Sequence, residues 1–162
     1  MGYFDMAEQQ VRLIAVGCDH GGFDRKEHVV TYLKAHGYEI TDFGCYDKNS
    51  IDYPDIAFPL AQAVAEGRFD RGVLICTTGI GMSIAANKVK NIRCSLCQDT
   101  YAAEMTRRHN NANILALSAH ANTDAETDAI LDVWLHTGFD GVLPGQERHL
   151  RRIQKIAEFE NR

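Results

Sequence analysis

The chain has 162 residues, of which 45% are hydrophobic and 24% are charged, and this is the composition of a soluble globular domain, not of a disordered or fibrous chain. Lysine and arginine together number 17 against 22 acidic residues, a formal net charge of −5, so there is no broad basic surface for a nucleic-acid backbone. No apolar run reaches the roughly 18 residues that a membrane span needs, and the polar start does not have the pattern of a signal sequence. We therefore predict a cytoplasmic protein that binds neither nucleic acid nor membrane.

The five cysteines are an odd number and lie mostly inside apolar segments, which is not the pattern of a disulfide framework. We expect reduced thiols. Cys94 and Cys97 form a single C-x-x-C, but the segment around them alternates like a strand, and no second pair at zinc spacing follows. The sequence therefore favours neither a redox motif nor a metal site.

Short apolar runs alternate with amphipathic stretches along the chain. In chain order the patterns predict a strand at 13–18, a helix at 23–36, a strand at 39–43, a helix at 56–66, a strand at 73–76, a helix at 82–89, a strand at 93–97, a helix at 100–109, a strand at 114–117, and helices at 124–136 and 148–160. Gly37 stands where a C-cap glycine would end the first helix.

This alternation with short connections predicts an α/β protein, a Rossmann-like doubly wound sheet of about five parallel strands flanked by helices. The three prolines are scattered, and there are no repeats or low-complexity tracts. We expect an N-terminal tail over residues 1–11 and one domain over residues 12–162.

In an open parallel sheet the ligand binds beyond the carboxyl ends of the strands. The first strand is followed there by Asp19 and His20, which could equally be a helix N-cap and a surface histidine. The third strand ends at Cys76 and continues through glycines 79 and 81 into a helix, where backbone N–H groups and nearby hydroxyls could hold an oxyanion or a phosphate. This turn is neither the dinucleotide fingerprint G-x-G-x-x-G nor a P-loop, and it could be purely structural.

Two basic segments come later in the chain. His109 and Asn110 follow two arginines that could simply complement the end of a helix. Arg148 and Arg152 are four residues apart on the last predicted helix and could clamp a phosphate, or could belong to a solvated basic face.

Four segments in the same order, 17–23, 52–55, 75–88 and 108–110, together resemble the ribose-5-phosphate isomerase B family, which includes the galactose-6-phosphate isomerase subunits. The resemblance covers about residues 12–156. It implies a cofactor-free and metal-independent aldose–ketose isomerisation of a phosphosugar, of the ribose 5-phosphate type, through a cis-enediolate. It also implies a homodimer, or a tetramer, with sites at the subunit interface.

The resemblance further implies a role for each matching residue. Cys76 becomes the base, because Met82 stands where another branch of the family has a glutamate, and Thr78 is its partner hydroxyl. His109 and Asp19 match the pair that opens the furanose ring, while the N–H groups of 79–83 would stabilise the enediolate. The expected substrate and phosphate ligands are His20, Tyr53, Gly79, Gly81, Ser83, Asn110, Arg148 and Arg152.

Two positions depart from the family pattern. His120 stands near the place where an arginine commonly holds the phosphate, and we count it among the candidate phosphate ligands. Thr77 replaces a usual glycine. Both changes bear on which phosphosugar is used, and a galactose, allose or tetrose phosphate stays open. A non-catalytic phosphosugar-binding module is the other alternative, although it would not need Cys76 and His109 together.

Overall fold

The computed structural model describes residues 10–162, which form one five-stranded parallel sheet with helices on both faces. The strands are β1 (Leu13–Cys18), β2 (Glu39–Asp42), β3 (Arg71–Cys76), β4 (Cys94–Leu96) and β5 (Ile114–Ser118). The helices are α1 (Phe23–Ala35), α2 (Tyr53–Ala65), α3 (Ile80–Ala86), α4 (Thr100–Asn110), α5 (Asp124–His136) and α6 (Glu147–Glu160). Two short 3-10 turns cover residues 20–22 and 140–142.

The strand order is β2-β1-β3-β5-β4, and every neighbouring pair is parallel. The chain therefore places β2 on one side of β1 and β3 on the other, and then inserts β5 between β3 and the edge strand β4, which gives a doubly wound sheet as predicted. The carboxyl ends of β1 and β3 meet where the winding reverses, which is where open α/β sheets bind ligands.

The core has two layers because successive side chains of a strand point to opposite faces. In β3, Val73 and Ile75 pack into the layer formed with α1, α4 and α5. Leu74 and Cys76 pack into the other layer, which is formed with α2 and α3. Both faces of β3 are thus covered, which explains its nearly continuous apolar sequence.

Several element boundaries differ from the predicted ones. Helix α2 begins three residues early, at Tyr53, because a proline fits its first turn and the N–H of Asp55 donates to the carbonyl oxygen of Asp52 at 3.0 Å. Helix α3 begins two residues early and ends three residues early, since Gly79 already turns the chain into the helix in a left-handed conformation. Strand β4 keeps only three of five predicted residues, and Gly37 ends α1 with φ of 86° as predicted.

No helix within residues 10–162 combines the length and the apolar character of a membrane-spanning segment. The predicted tail, residues 1–11, lies almost entirely outside the described residues. Helix α6 packs on α4 and on the turn of residues 140–142. It belongs to neither core layer.

Gly22 allows the closest backbone approach beside the ends of β1 and β3. A Cβ atom on Gly22 would lie 2.6 Å from the carbonyl oxygen of Ile75 and 2.8 Å from its carbonyl carbon. The N–H of Asp19 donates to the same oxygen at 3.2 Å. A side chain at position 22 would therefore push the turn after β1 away from β3.

We predict that Gly22→Ala lowers the free energy of unfolding by about 1–3 kcal/mol, because the added methyl group overpacks against rigid backbone. The matched control is Gly138→Ala, since a Cβ atom at Gly138 meets no atom within 4 Å. Urea denaturation of both variants measures the difference. Equal stability of the two variants would contradict the close approach of Gly22 to Ile75.

Candidate active site

The carboxyl edge of the sheet gathers most of the predicted site residues. In register, Cys18 of β1 pairs with Ile75 of β3, and Cys76 pairs with Ser118 of β5, so the segments that follow these three strands are neighbours. We call this group the strand-end cluster, and its members are Asp19, His20, Tyr53, Cys76, Thr78, Gly79, Gly81, Ser83 and His120.

Cys76 is the last residue of β3 and is only 5% exposed. Its Sγ accepts a hydrogen bond from the N–H of Gly79 at 3.1 Å. Gly79 reaches this position with φ of 76°, and a Cβ atom there would lie 2.5 Å from Cδ1 of Leu96. The Gly79 N–H is thus directed at the atom that would take up a proton if Cys76 acts as a base.

The other cysteines lie in different surroundings. All five are buried and unpaired. Burial raises the pKa of Cys18 and Cys94, and raises the pKa of Cys97 to about 12. Cys94 and Cys97 therefore remain protonated thiols around β4. Among residues 10–162, no group of three His, Cys, Asp or Glu side chains could hold a metal ion.

The turn from β3 into α3 already uses several of its own donors. Thr78 Oγ1 accepts from the N–H of Ile80 at 3.3 Å, and the Ser83 N–H donates to the Gly79 carbonyl oxygen. Ser83 Oγ donates to the carbonyl oxygen of Ile80 at 2.9 Å. The N–H groups of 81 and 82 have no acceptor in the described part of the chain. Of the N–H groups of 79–83 that we expected to stabilise the enediolate, only those of 81 and 82 are therefore available to a ligand.

Tyr53 forms one wall of the strand-end cluster. It is the first residue of α2, and a Cβ atom on Gly81 would lie 3.0 Å from its ring. The absence of a side chain at Gly81 thus lets the ring rest on the start of α3. This contact places Tyr53 beside the glycine turn, as expected for a residue of the site wall.

Asp19 and His20 are both held by backbone groups. Asp19 Oδ1 accepts from the N–H groups of Gly21 and Gly22 at 3.0 and 3.1 Å, so this carboxylate caps the 3-10 turn. His20 Nδ1 accepts from the N–H of Ile51 at 3.3 Å. Because Nδ1 accepts this hydrogen bond, the neutral tautomer of His20 that fits it carries its proton on Nε2. The N-cap role that the sequence analysis considered for Asp19 is therefore present in the fold.

The two positions that depart from the family pattern lie against the same edge. Ser118 Oγ donates to the carbonyl oxygen of Thr77 at 2.8 Å and accepts from the N–H of His120 at 3.2 Å. The His120 side chain is exposed. Thr77 Oγ1 lies 2.2 Å from the position of a Cβ atom on Gly21, so the threonine fills space that this glycine leaves open.

The remaining predicted residues, together with His149, form a second group where α4 ends beside the start of α6. We call this group the histidine cluster, and its members are His109, Asn110, Arg148, His149 and Arg152. The rings of His109 and His149 stack with centroids 4.3 Å apart and planes 2° from parallel. Arg148 and Arg152 are exposed on α6.

His149 is the member that sequence reasoning missed. It is the one buried residue of α6, at 3% exposure. In the sequence it stands among arginines and has no motif of its own. The stacking on His109 is a contact between two helices distant in the chain, and only the folded structure reveals it.

The two clusters lie at opposite edges of the sheet. Helix α4 connects two neighbouring parallel strands, so it begins at the carboxyl edge and ends at the amino edge, where β5 starts. Its 11 residues span about 16 Å at 1.5 Å per residue. One chain therefore does not bring His109 to Cys76.

Comparison with known proteins places this geometry in a family. The sequence model described as Ribose/Galactose Isomerase matches residues 14–156. Ribose-5-phosphate isomerase B of Escherichia coli is 40% identical over 152 residues, covering 94% of this chain and 99% of its own length. D-erythrulose-4-phosphate isomerase of Pectobacterium atrosepticum is 43% identical over 151 residues, covering 91% of this chain and 95% of its own.

Solved structures agree with the sequence comparison. Ribose-5-phosphate isomerase B of Clostridium thermocellum superposes with a TM-score of 0.87 at 45% identity, covering 92% of this chain and 97% of that one. The fold and its matches define an enzyme of the sugar-phosphate isomerase class. Within that class, the chain belongs to the ribose/galactose isomerase family, as the resemblance of its motifs predicted.

Proposed function

We propose that this enzyme interconverts an aldose phosphate and a ketose phosphate, of the ribose 5-phosphate and ribulose 5-phosphate type, through a cis-enediolate with Cys76 as the base. The observation that carries the proposal is the hydrogen bond from the N–H of Gly79 to the Sγ of Cys76 at the end of a central strand. The reaction moves protons within one substrate and needs neither a metal nor a cofactor.

In the proposed reaction the Cys76 thiolate takes the proton from C2 of the open-chain aldose. The electron pair forms the enediolate, whose oxygens face the free N–H groups of 81 and 82 and the hydroxyl of Thr78. Each well-placed donor of this kind is worth roughly 3 kcal/mol in comparable oxyanion holes. The hydroxyl proton moves from O2 to O1, and the thiol returns its proton to C1 to give the ketose.

The cyclic aldose must open before this step, because only the free aldehyde makes the proton on C2 acidic. We assign the opening to His109 and Asp19, and substrate contacts to Tyr53 and Asn110. We assign four residues to binding of the phosphate. His20 and His120 belong to the strand-end cluster, and Arg148 and Arg152 belong to the histidine cluster. A guanidinium group donates to phosphate in a bidentate geometry that suits the two arginines.

These assignments require two copies of the chain, because they combine residues from opposite edges of the sheet. We infer a homodimer in which the histidine cluster of one copy faces the strand-end cluster of the other. Exposed apolar side chains border both clusters: Ile84 follows Ser83 on α3 and is 54% exposed, and Ile156 on α6 lines a surface cavity with Asn110 and is 50% exposed. Apolar side chains of this size are suited to burial at a subunit interface.

We predict that Cys76→Ala and His109→Ala are each inactive alone and recover activity when the two chains are co-expressed. In a two-fold dimer, half of the molecules are hybrids and each hybrid holds one intact site, so about a quarter of the wild-type activity should return. Tandem affinity purification with two different tags isolates the hybrid. If the hybrid dimer is inactive, each site is built within one chain and the shared arrangement is wrong.

We predict that Cys76→Ala lowers turnover roughly 100-fold or more, which is the range for loss of a general base. The measurement is NMR detection of deuterium entering the substrate carbon from D2O, together with conversion. Cys94→Ala is the control, since this thiol is buried around β4 and lies outside the proposed site. Near-normal deuterium exchange in Cys76→Ala would mean that another group removes the proton.

The relatives of this chain act on more than one phosphosugar. The relatives named for ribose 5-phosphate and for D-erythrulose 4-phosphate are similarly distant, at 40% and 43% identity. We favour the pentose because both the Cys76 and the His109 ends of the site are present in this chain. An acyclic tetrose phosphate would not need ring opening by His109. Allose and galactose phosphates stay as further alternatives.

We predict that ribose 5-phosphate gives the highest kcat/KM in an NMR product screen over ribose, allose, galactose and erythrose phosphates. The same screen tests the non-catalytic alternative. Binding of a phosphosugar without either product formation or deuterium exchange would identify a binding module. A higher kcat/KM with another sugar would keep the reaction and change the substrate.

A further inference from the structure

The stacked histidine pair joins the end of α4 to the first turn of α6. His149 N–H donates to the carbonyl oxygen of Gln146 at 3.0 Å, so the residue is fixed within the start of α6. Its ring lies flat against that of His109, which is only half-buried. One face of the His109 ring is therefore covered by protein.

The His149 ring is not held by a hydrogen bond at Nε2. This atom is enclosed, and it has no partner within residues 10–162. A buried donor or acceptor without a partner is uncommon in folded proteins. The ring is therefore held by packing between α6, α4 and the turn of residues 140–142, and the stack on His109 is one face of that packing.

The surroundings of His149 favour its neutral form. Burial lowers its pKa below the ordinary value, and the positive charges of Arg148 and Arg152, together with His109 on α4, act in the same direction. Asp140, on the turn of residues 140–142, opposes them. The Asp140 carboxylate is also bound by Arg108, whose Nε donates to it at 2.9 Å.

We propose that His149 is a positioning residue, whose neutral ring fixes the plane of His109 and accommodates the positive charge that His109 carries when it transfers a proton during ring opening. A neutral aromatic face attracts a cation placed above it, whereas a charged neighbour would repel it. This inference rests on the proposed function and adds to it a residue that does not touch the substrate.

The experiment separates opening of the furanose ring from formation of the enediolate. A ketopentose 5-phosphate cannot close a five-membered ring, because its 5-hydroxyl carries the phosphate. Exchange of its C1 proton with D2O therefore needs Cys76 but not His109. Conversion of the cyclic aldose needs both, because its ring must open first. The readout is the ratio of deuterium exchange into ribulose 5-phosphate to conversion of ribose 5-phosphate, both measured by NMR.

His149→Leu should lower conversion roughly 10- to 100-fold through misplacement of His109, while exchange falls much less. His149→Phe keeps a flat neutral ring and should stay close to wild type in both measurements. Arg151→Ala, an exposed neighbour on α6, is the control for nonspecific effects on this helix. Thermal melting of each variant verifies that it is folded.

Two results would overturn the inference. If a folded His149→Leu protein loses exchange and conversion in equal proportion, His149 has a structural role only. If His149→Phe is as defective as His149→Leu, a ring nitrogen is required and stacking is not the function. Wild-type protein that neither exchanges deuterium into ribulose 5-phosphate nor converts ribose 5-phosphate would instead refute the proposed function itself.

Discussion

The direction of the strands is the constraint on which the candidate site depends. Every strand of the sheet is parallel to its neighbours, so all carboxyl ends meet at one edge and each returning helix ends at the other. Cys76 therefore shares an edge with the ends of β1 and β5, whereas His109 is placed opposite by α4. A site that uses both has to be assembled from two chains, which makes association a part of the proposed chemistry.

Within the carboxyl edge, small residues set the distances. Gly22 lets the turn after β1 touch the backbone of β3, and Gly79 lets the chain leave Cys76 in a left-handed turn that directs an N–H group back to the sulfur. Gly81 leaves room for the ring of Tyr53. The approaches at Gly22 and Gly79 are too close for a Cβ atom, and at Gly81 a Cβ atom would press on the Tyr53 ring, so the absence of side chains positions the groups that we expect to act on the substrate.

The sequence predicted the fold class and the five strands because buried parallel strands appear as continuous apolar runs between helical patterns. The predicted bounds of β4 and the predicted start of α2 were less accurate, since pairing at a sheet edge and a proline in the first helical turn are local features that periodicity does not encode. The motifs identified both clusters of candidate residues. The N-cap considered for Asp19 is present in the fold, whereas the stacking of His149 on His109 is a contact of the folded chain that no motif indicates.

The cysteines show why residue type alone does not identify the base. Cys18, Cys76, Cys94 and Cys97 are all buried at or near a strand. Burial disfavours the charged thiolate and raises the pKa of Cys18, Cys94 and Cys97. At Cys76 the chain turns sharply and directs the Gly79 N–H at Sγ. Its place at the carboxyl end of a central strand, beside the glycine turn, therefore makes Cys76 the candidate base among cysteines that are all buried.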